Sequence, residues 1–263
     1  MKTILLMVHD DPGQEARLQC ALDVTRAVEG HLICLDLLRM PIVIDAYGSG
    51  GGMATILTTE QEREDVNVAA LQSRVAAERV SHEWQRAQGD FEHSLTRAAR
   101  LADLIVLSAR GVSGLADQGD LPARLARTTA APILVVPEQH RGFYPGGRVI
   151  VGWDGSDTAA TTIRAAVPLL RHAASVEVLT IEGNDREADP EDAARYLARH
   201  GCRVTANLVS RSADVGGQLR DALVSADWGV IGSYGQGRLR ERLFGGTTWT
   251  LLEQTPVPLL ISH

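Results

Sequence analysis

The sequence predicts an α/β fold of two doubly wound, parallel, five-stranded sheets in tandem. Short apolar runs of strand length alternate with longer amphipathic stretches along all 263 residues. That order builds a parallel sheet covered by helices on both faces. The pattern also occurs twice. Asp103-Leu-Ile-Val-Leu107 and Thr129-Ala-Ala-Pro132-Ile-Leu-Val-Val136 are answered by Asp227-Trp-Gly-Val-Ile231 and Thr255-Pro-Val-Pro258-Leu-Leu-Ile261. Asp103 and Asp227 lie 124 positions apart, Pro132 and Pro258 126, and Asp10 and Asp154 144. The first copy therefore carries roughly twenty extra residues between its first and fourth strands, and a slightly shorter loop after the fourth.

Taken in order, the first copy is expected to place strands at 3–8, 31–38, 80–86, 103–107 and 132–136, with helices at 14–29, 57–79, 91–101 and 120–130. Ile4 to Val8 is too short for the apolar core of a signal peptide and ends in His9-Asp10-Asp11, so it is a strand. The extra residues run from Arg39-Met-Pro41 through Tyr47-Gly-Ser-Gly-Gly-Gly52. This glycine cluster does not follow a strand and open onto a helix at dinucleotide-binding spacing, which makes it a flexible excursion. The long helix after it places Leu71, Val75 and Ala76 on one side. The second copy is expected to place strands at 148–153, 175–181, 202–210, 228–232 and 257–261, and helices at 157–173, 190–200, 214–225 and 246–254. Two domains result, 1–137 and 148–263, joined by a turn-rich linker containing Gly142, Pro145 and Gly146.

Bulk properties exclude several function classes. Hydrophobic content of 44% and mean hydropathy of −0.05 suit a soluble globular protein. Net charge −7 and a pI near 5.6 argue against a nucleic-acid or anionic-membrane surface. No apolar run reaches the roughly 18–20 residues of a membrane span, and a cytoplasmic location is expected. Cys20, Cys34 and Cys202 lack metal-ligand spacing and sit in apolar or amphipathic runs, as reduced, buried thiols would. Lys2 is the only lysine, so a lysine-centred phosphate loop is excluded beyond the extreme N-terminus.

Chemistry concentrates at one stretch. The apolar run Trp228 to Ile231 leads into Gly232-Ser233-Tyr234-Gly235, and Gly245-Gly246-Thr247 follows before a helix start. Strand, glycine-spaced loop and helix N-terminus together can hold an anion, because glycines let the backbone approach and free N–H groups point at the charge. Glycine spacing alone is also what an ordinary connecting turn shows. Ordered motifs at both ends of the second copy go further. Gly232-x2-Gly235-x9-Gly245, the ending Thr255 to Ile261 and the opening Val149-Ile-Val-Gly-Trp-Asp154-Gly155-Ser156 resemble universal stress proteins of the nucleotide-binding type.

The resemblance implies a Rossmann-like, adenine nucleotide α-hydrolase-like fold and a stress-response regulator that binds ATP or AMP, with or without Mg²⁺. It implies that Asp154 meets the adenine and ribose side, and that Gly232, Gly235 and Gly245 wrap the ribose and phosphates. Where the family has a Ser or Thr contacting phosphate, this chain has Gly246, with Thr247 one step later. It also implies a pseudo-dimer of the two domains packed across their last strands, and a further homodimer. The first copy's loop departs more strongly: Ser108 replaces Gly232, Gly111 matches Gly235, and Asp117 and Asp120 bring carboxylates that would repel a triphosphate. Arg238, Arg240 and Arg242 either screen phosphate or merely solubilise the loop, and Trp153 either stacks on a base or packs.

Two rival functions stand beside nucleotide binding. An enzyme would need a nucleophile with its base, but Ser156 reads as a helix N-cap and the eight histidines are scattered. At most, slow ATP hydrolysis is expected. A scaffold that has lost nucleotide binding in both copies is the other alternative.

Overall fold

The computed structural model describes residues 1–38, 50–109, 121–182, 188–212, 214–232, 251–252 and 254–263, and for 50–60 the backbone alone. In the first half, β1 (Thr3–Val8), β2 (His31–Leu38), β3 (Ser81–Gln88), β4 (Leu104–Ser108) and β5 (Ile133–Val136) alternate with α1 (Gln14–Ala27), α2 (Gly50–Ala77), α3 (Phe91–Ala98) and α4 (Leu121–Thr128). A single 3₁₀ turn, Ala99–Leu101, follows α3. In the second half come β6 (Arg148–Gly152), α5 (Asp157–Leu170), β7 (Ser175–Ile181), α6 (Pro190–Arg199), β8 (Val204–Val209), α7 (Val215–Leu223), β9 (Trp228–Gly232) and β10 (Leu259–Ser262). Leu251 and Leu252 are helical, and the rest of the helix expected before β10 lies outside the described residues.

The two expected sheets join into one of ten strands, ordered β3-β2-β1-β4-β5-β10-β9-β6-β7-β8. Within each half every pairing is parallel. At the seam β5 and β10 pair antiparallel, Leu134 opposite Leu260 and Ile133 opposite Ile261. The apolar ending Leu259 to Ile261 is thereby paired on both sides, which removes the edge-strand hazard such a run would present. The last five strands repeat the order of the first five, and small details repeat too. The Asp103 carboxylate accepts the Lys2 and Thr3 N–H groups at the start of β1 at 2.5 and 2.9 Å. Asp227 accepts the Arg148 N–H at the start of β6 at 2.7 Å. These two aspartates thus tie the fourth strand of each half to its first.

Alternation along the central strands divides the core into two layers. Ile4, Leu6 and Val8 belong to the layer that also holds α1, α2, α5 and α6, whereas Leu5 and Met7 belong to the layer on the other face, with α3, α4 and α7. The outermost strands β3 and β8 are only half covered, as their mixed sequences require.

Two expectations need correction. The helix expected from 57 begins at Gly50, so Gly50–Gly52 belongs to it rather than to a flexible excursion. Glycine costs about 1 kcal/mol against alanine within a helix, but lengthening an existing helix avoids the cost of a new nucleus. On the same helix the packed face is Glu64, Val68, Leu71 and Val75, and Ala76 is exposed, one residue round the cylinder from Val75. The turn-rich connection between β5 and β6 is docked. Phe143 is buried against Trp228, ring centroids 5.3 Å apart, and its N–H donates to the Asp23 carboxylate at 2.9 Å.

Candidate functional site

Open sheets of this class bind ligands where the connections reverse direction, beyond the carboxyl ends of the two strands at that point. The strand order puts one such point between β6 and β9 and another between β1 and β4. Asp154 and Gly232, two of the residues singled out from the sequence, meet at the first of these. Gly152 of β6 pairs with Ile231 of β9, so Asp154 and Gly232 leave neighbouring strands side by side.

The chain turns sharply after β6. Gly155 takes φ +73°, the left-handed region that favours glycine. Asp154 is exposed, and one carboxylate oxygen accepts the Ser156 N–H at 2.9 Å. Ser156 caps α5 as expected, its Oγ accepting the Ala159 N–H at 3.1 Å. The second Asp154 oxygen has no partner among the described residues. Gly232 is demanded by packing. A Cβ there would stand 2.5 Å from the Ala159 nitrogen and 2.6 Å from its Cα, both backbone atoms of α5. The helix N-terminus thus presses directly on the end of β9, and only a residue without a side chain fits between. Gly235, Gly245, Gly246 and Thr247, with Arg238, Arg240 and Arg242, lie outside the described residues.

Trp153 is a packing residue here. It sits half-buried against the core layer that holds α5 and α6, and its indole N–H donates to the Asp189 carbonyl at 3.1 Å. Its backbone carbonyl accepts the Thr180 hydroxyl at 2.9 Å, linking the turn to β7. Asp189 in turn caps α6.

The corresponding point between β1 and β4 is filled. Arg17, fully buried on α1, aims its guanidinium into it. It holds both Asp11 oxygens, at 2.9 and 2.8 Å, donates to the Met7 and His9 carbonyls, and hydrogen-bonds the Ser108 hydroxyl. Ser108 ends β4 as Gly232 ends β9, and a Cβ on Gly13 would collide with its hydroxyl. Asp10, the match of Asp154, is taken up by α2: its carboxylate pairs with Arg63 at 2.8 Å and its N–H donates to Glu64 at 3.2 Å. Asn67 and Gln14 exchange two hydrogen bonds beside it. Arg17 was not among the residues read from the sequence. Its signal was present, a charge within the apolar stripe Ala21, Val24 at helical spacing.

The three cysteines are free and buried. Burial pushes the Cys34 thiol up to about 12 and the Cys20 thiol further still. Among the described residues no group of histidine, cysteine and carboxylate side chains could hold a metal ion, and no helix is long and apolar enough to cross a membrane.

The universal stress protein family matches residues 1–137. Universal stress protein Slr1230 of Synechocystis is 27% identical over 179 residues, covering 60% of this chain and 57% of its own length. A universal stress protein from Archaeoglobus fulgidus superposes over 99% of this chain and 95% of its own with a TM-score of 0.75 at 16% identity. A functionally unknown protein from Pseudomonas aeruginosa does so over 100% and 92%, with a TM-score of 0.61 at 16% identity.

Proposed function

The chain belongs to the universal stress protein family, and on that premise we propose that it is a cytoplasmic stress-response regulator binding ATP or AMP in its second half, without dedicated catalysis. Residues 1–137 and 148–263 are on this reading two family units in tandem, forming a pseudo-dimer within one chain. The observation that carries the proposal is the contrast between the two reversal points. At the β6–β9 point a capped helix N-terminus, an exposed Asp154 and a glycine strand end lie together, with a glycine-rich segment to follow. At the β1–β4 point Arg17, Ser108 and α2 occupy the equivalent space.

Asp154 would accept hydrogen bonds from ribose hydroxyls through its unengaged oxygen, while Gly232, Gly235, Gly245, Gly246 and Thr247 offer backbone and hydroxyl donors to phosphate. Mg²⁺, if it accompanies the nucleotide, would be held chiefly by phosphate and water. A homodimer of the whole chain is part of the same proposal.

The test is to identify small molecules released on denaturing freshly purified protein, then to titrate ATP and AMP against tryptophan fluorescence. About one adenine nucleotide per chain, with affinity lost in Asp154→Ala and Gly235→Val, is expected. Two per chain would overturn the reading of the first half. No release and no response at millimolar nucleotide would leave a scaffold role in its place.

A further inference from the structure

A second crevice lies far from either reversal point and is related to one that the chain partly covers itself. The partly covered one, with about 340 Å³ left open, lies among the lead-in residues Ala226 and Asp227 of β9, Val257 before β10, and Asp23 of α1. The connecting segment His140 to Tyr144 covers it, with Phe143 seated on Trp228 and its N–H held by the Asp23 carboxylate. Its mate lies among Ala102 and Asp103 before β4, Ala131 and Pro132 before β5, and Arg164 and Pro168 of α5. The same parts of the opposite halves build both: the approach to the fourth and fifth strands of one half, and the first helix of the other. The mate is larger, about 560 Å³, and among the described residues no segment covers it as Phe143 covers the first.

Its chemistry is inverted. Where Asp23 presents an acceptor to the docked segment, the matching helix presents Arg164, and Arg100 faces the crevice from the other wall. Neither arginine has a carboxylate partner among the described residues. The acid in the lining, Asp103, is already engaged: burial would raise its pKa, but the Lys2 and Thr3 N–H groups together with the N-terminal ammonium hold it below the usual range. The walls between are small and apolar, Ala99, Ala131 and Pro168, with the Thr128 and Thr129 side chains beside them. Cavities of this size with an apolar body and a few converging polar groups suit a small organic ligand.

We propose that this crevice binds a small organic anion with a short apolar or aromatic body, a compound of the aryl-carboxylate class. The apolar part takes the place that Phe143 takes in the mate, and the carboxylate lies between Arg100 and Arg164. Arginine suits that task because its planar donors match a carboxylate in pairs. The site is independent of the nucleotide reading, since none of its lining residues is shared with the β6–β9 point.

The probe is phenylacetate, with benzylamine as the control of opposite charge, measured by ligand-observed NMR and isothermal titration on the full chain. Phenylacetate is expected to bind saturably and benzylamine at least roughly tenfold more weakly. Arg100→Glu/Arg164→Glu should weaken phenylacetate at least about tenfold, while circular dichroism and thermal midpoint confirm the fold. Ala165→Trp, which adds bulk to the lining, should weaken it as well. The proposal is overturned if phenylacetate shows no saturable binding up to about 20 mM, if benzylamine binds equally well, or if the arginine reversals leave its affinity unchanged.

Discussion

Replacing Arg17 by methionine should be among the most destabilising single changes available to the first half. The side chain is fully buried, its partner Asp11 is 5% exposed, and the pair is bidentate. Methionine fills similar volume but removes the donors that satisfy Asp11, Ser108 and the Met7 and His9 carbonyls. Breaking a buried ion pair from one side costs about 3–5 kcal/mol, because a charge is left without compensation. Removing both charges costs less than the sum. Asp11→Asn keeps an acceptor for the Gly13 N–H, which Asp11 now receives at 2.8 Å. The double variant Arg17→Met/Asp11→Asn should therefore recover about 1–3 kcal/mol relative to additivity. Urea unfolding followed by far-UV circular dichroism reads both numbers, provided the slope with urea stays constant across the set. A cost under about 1 kcal/mol for Arg17→Met, or strict additivity in the double variant, would refute the account of a charge held in place by this network.

Gly232→Ala must displace backbone of α5 and should cost about 1–3 kcal/mol as well as any nucleotide affinity, whereas exposed Asp154→Ala should lower affinity at little cost to stability; thermal melts with and without ATP separate them. The buried thiols, with Cys34 pushed up to about 12, should stay unreactive to a disulfide reagent at pH 8 until urea is added, and rapid labelling of the native protein would contradict the burial. Burial, opposed by Asp227 and the Gly142 backbone, lowers the pKa of His140. Its contribution to stability is thus present above the unfolded value of about 6.5 and is lost as pH falls through the lower folded value. The fall in urea midpoint between pH 8 and pH 5.5 should accordingly be smaller in His140→Gln than in the parent.

Much of the fold was legible in the sequence because its information is periodic. Buried strands such as Leu104–Ser108 and Ile133–Val136 are continuous apolar runs, and Asp103 and Asp227 each precede the fourth strand of their half. The start of α2 was not legible, since glycines argue locally against helix while the following residues propagate it. Nor was the docking of Phe143, which depends on a carboxylate 120 residues away. At the site, Ser156 was legible through local capping chemistry, whereas Asp154 was singled out by the family resemblance, and its place beside Gly232 follows from the strand order. Gly232 was read as a residue making room for a ligand, but its nearest constraint is the helix behind it. Arg17 was invisible to motif reasoning because its meaning lies in three elements at once, β1, α1 and β4.

The two reversal points solve one steric problem in different ways. Where a first helix begins against the end of a fourth strand, there is room for at most one side chain between them. In the first half the strand carries it, Ser108, and the helix side yields with Gly13. In the second half the backbone of α5 at Thr158 and Ala159 itself presses on the strand end, and the strand yields with Gly232. The atoms that would meet a side chain at 232 are backbone, so trimming Ala159 to glycine would not make room; α5 itself would have to move. Conversely, Ser108→Gly would not open the first point, because the Arg17 guanidinium, anchored by Asp11 and two carbonyls, remains in it. Helix placement together with an interlocked set of residues therefore sets how closely helix and strand approach at each point. That is why the two halves can share a strand order and still differ in the side chains they bring to it.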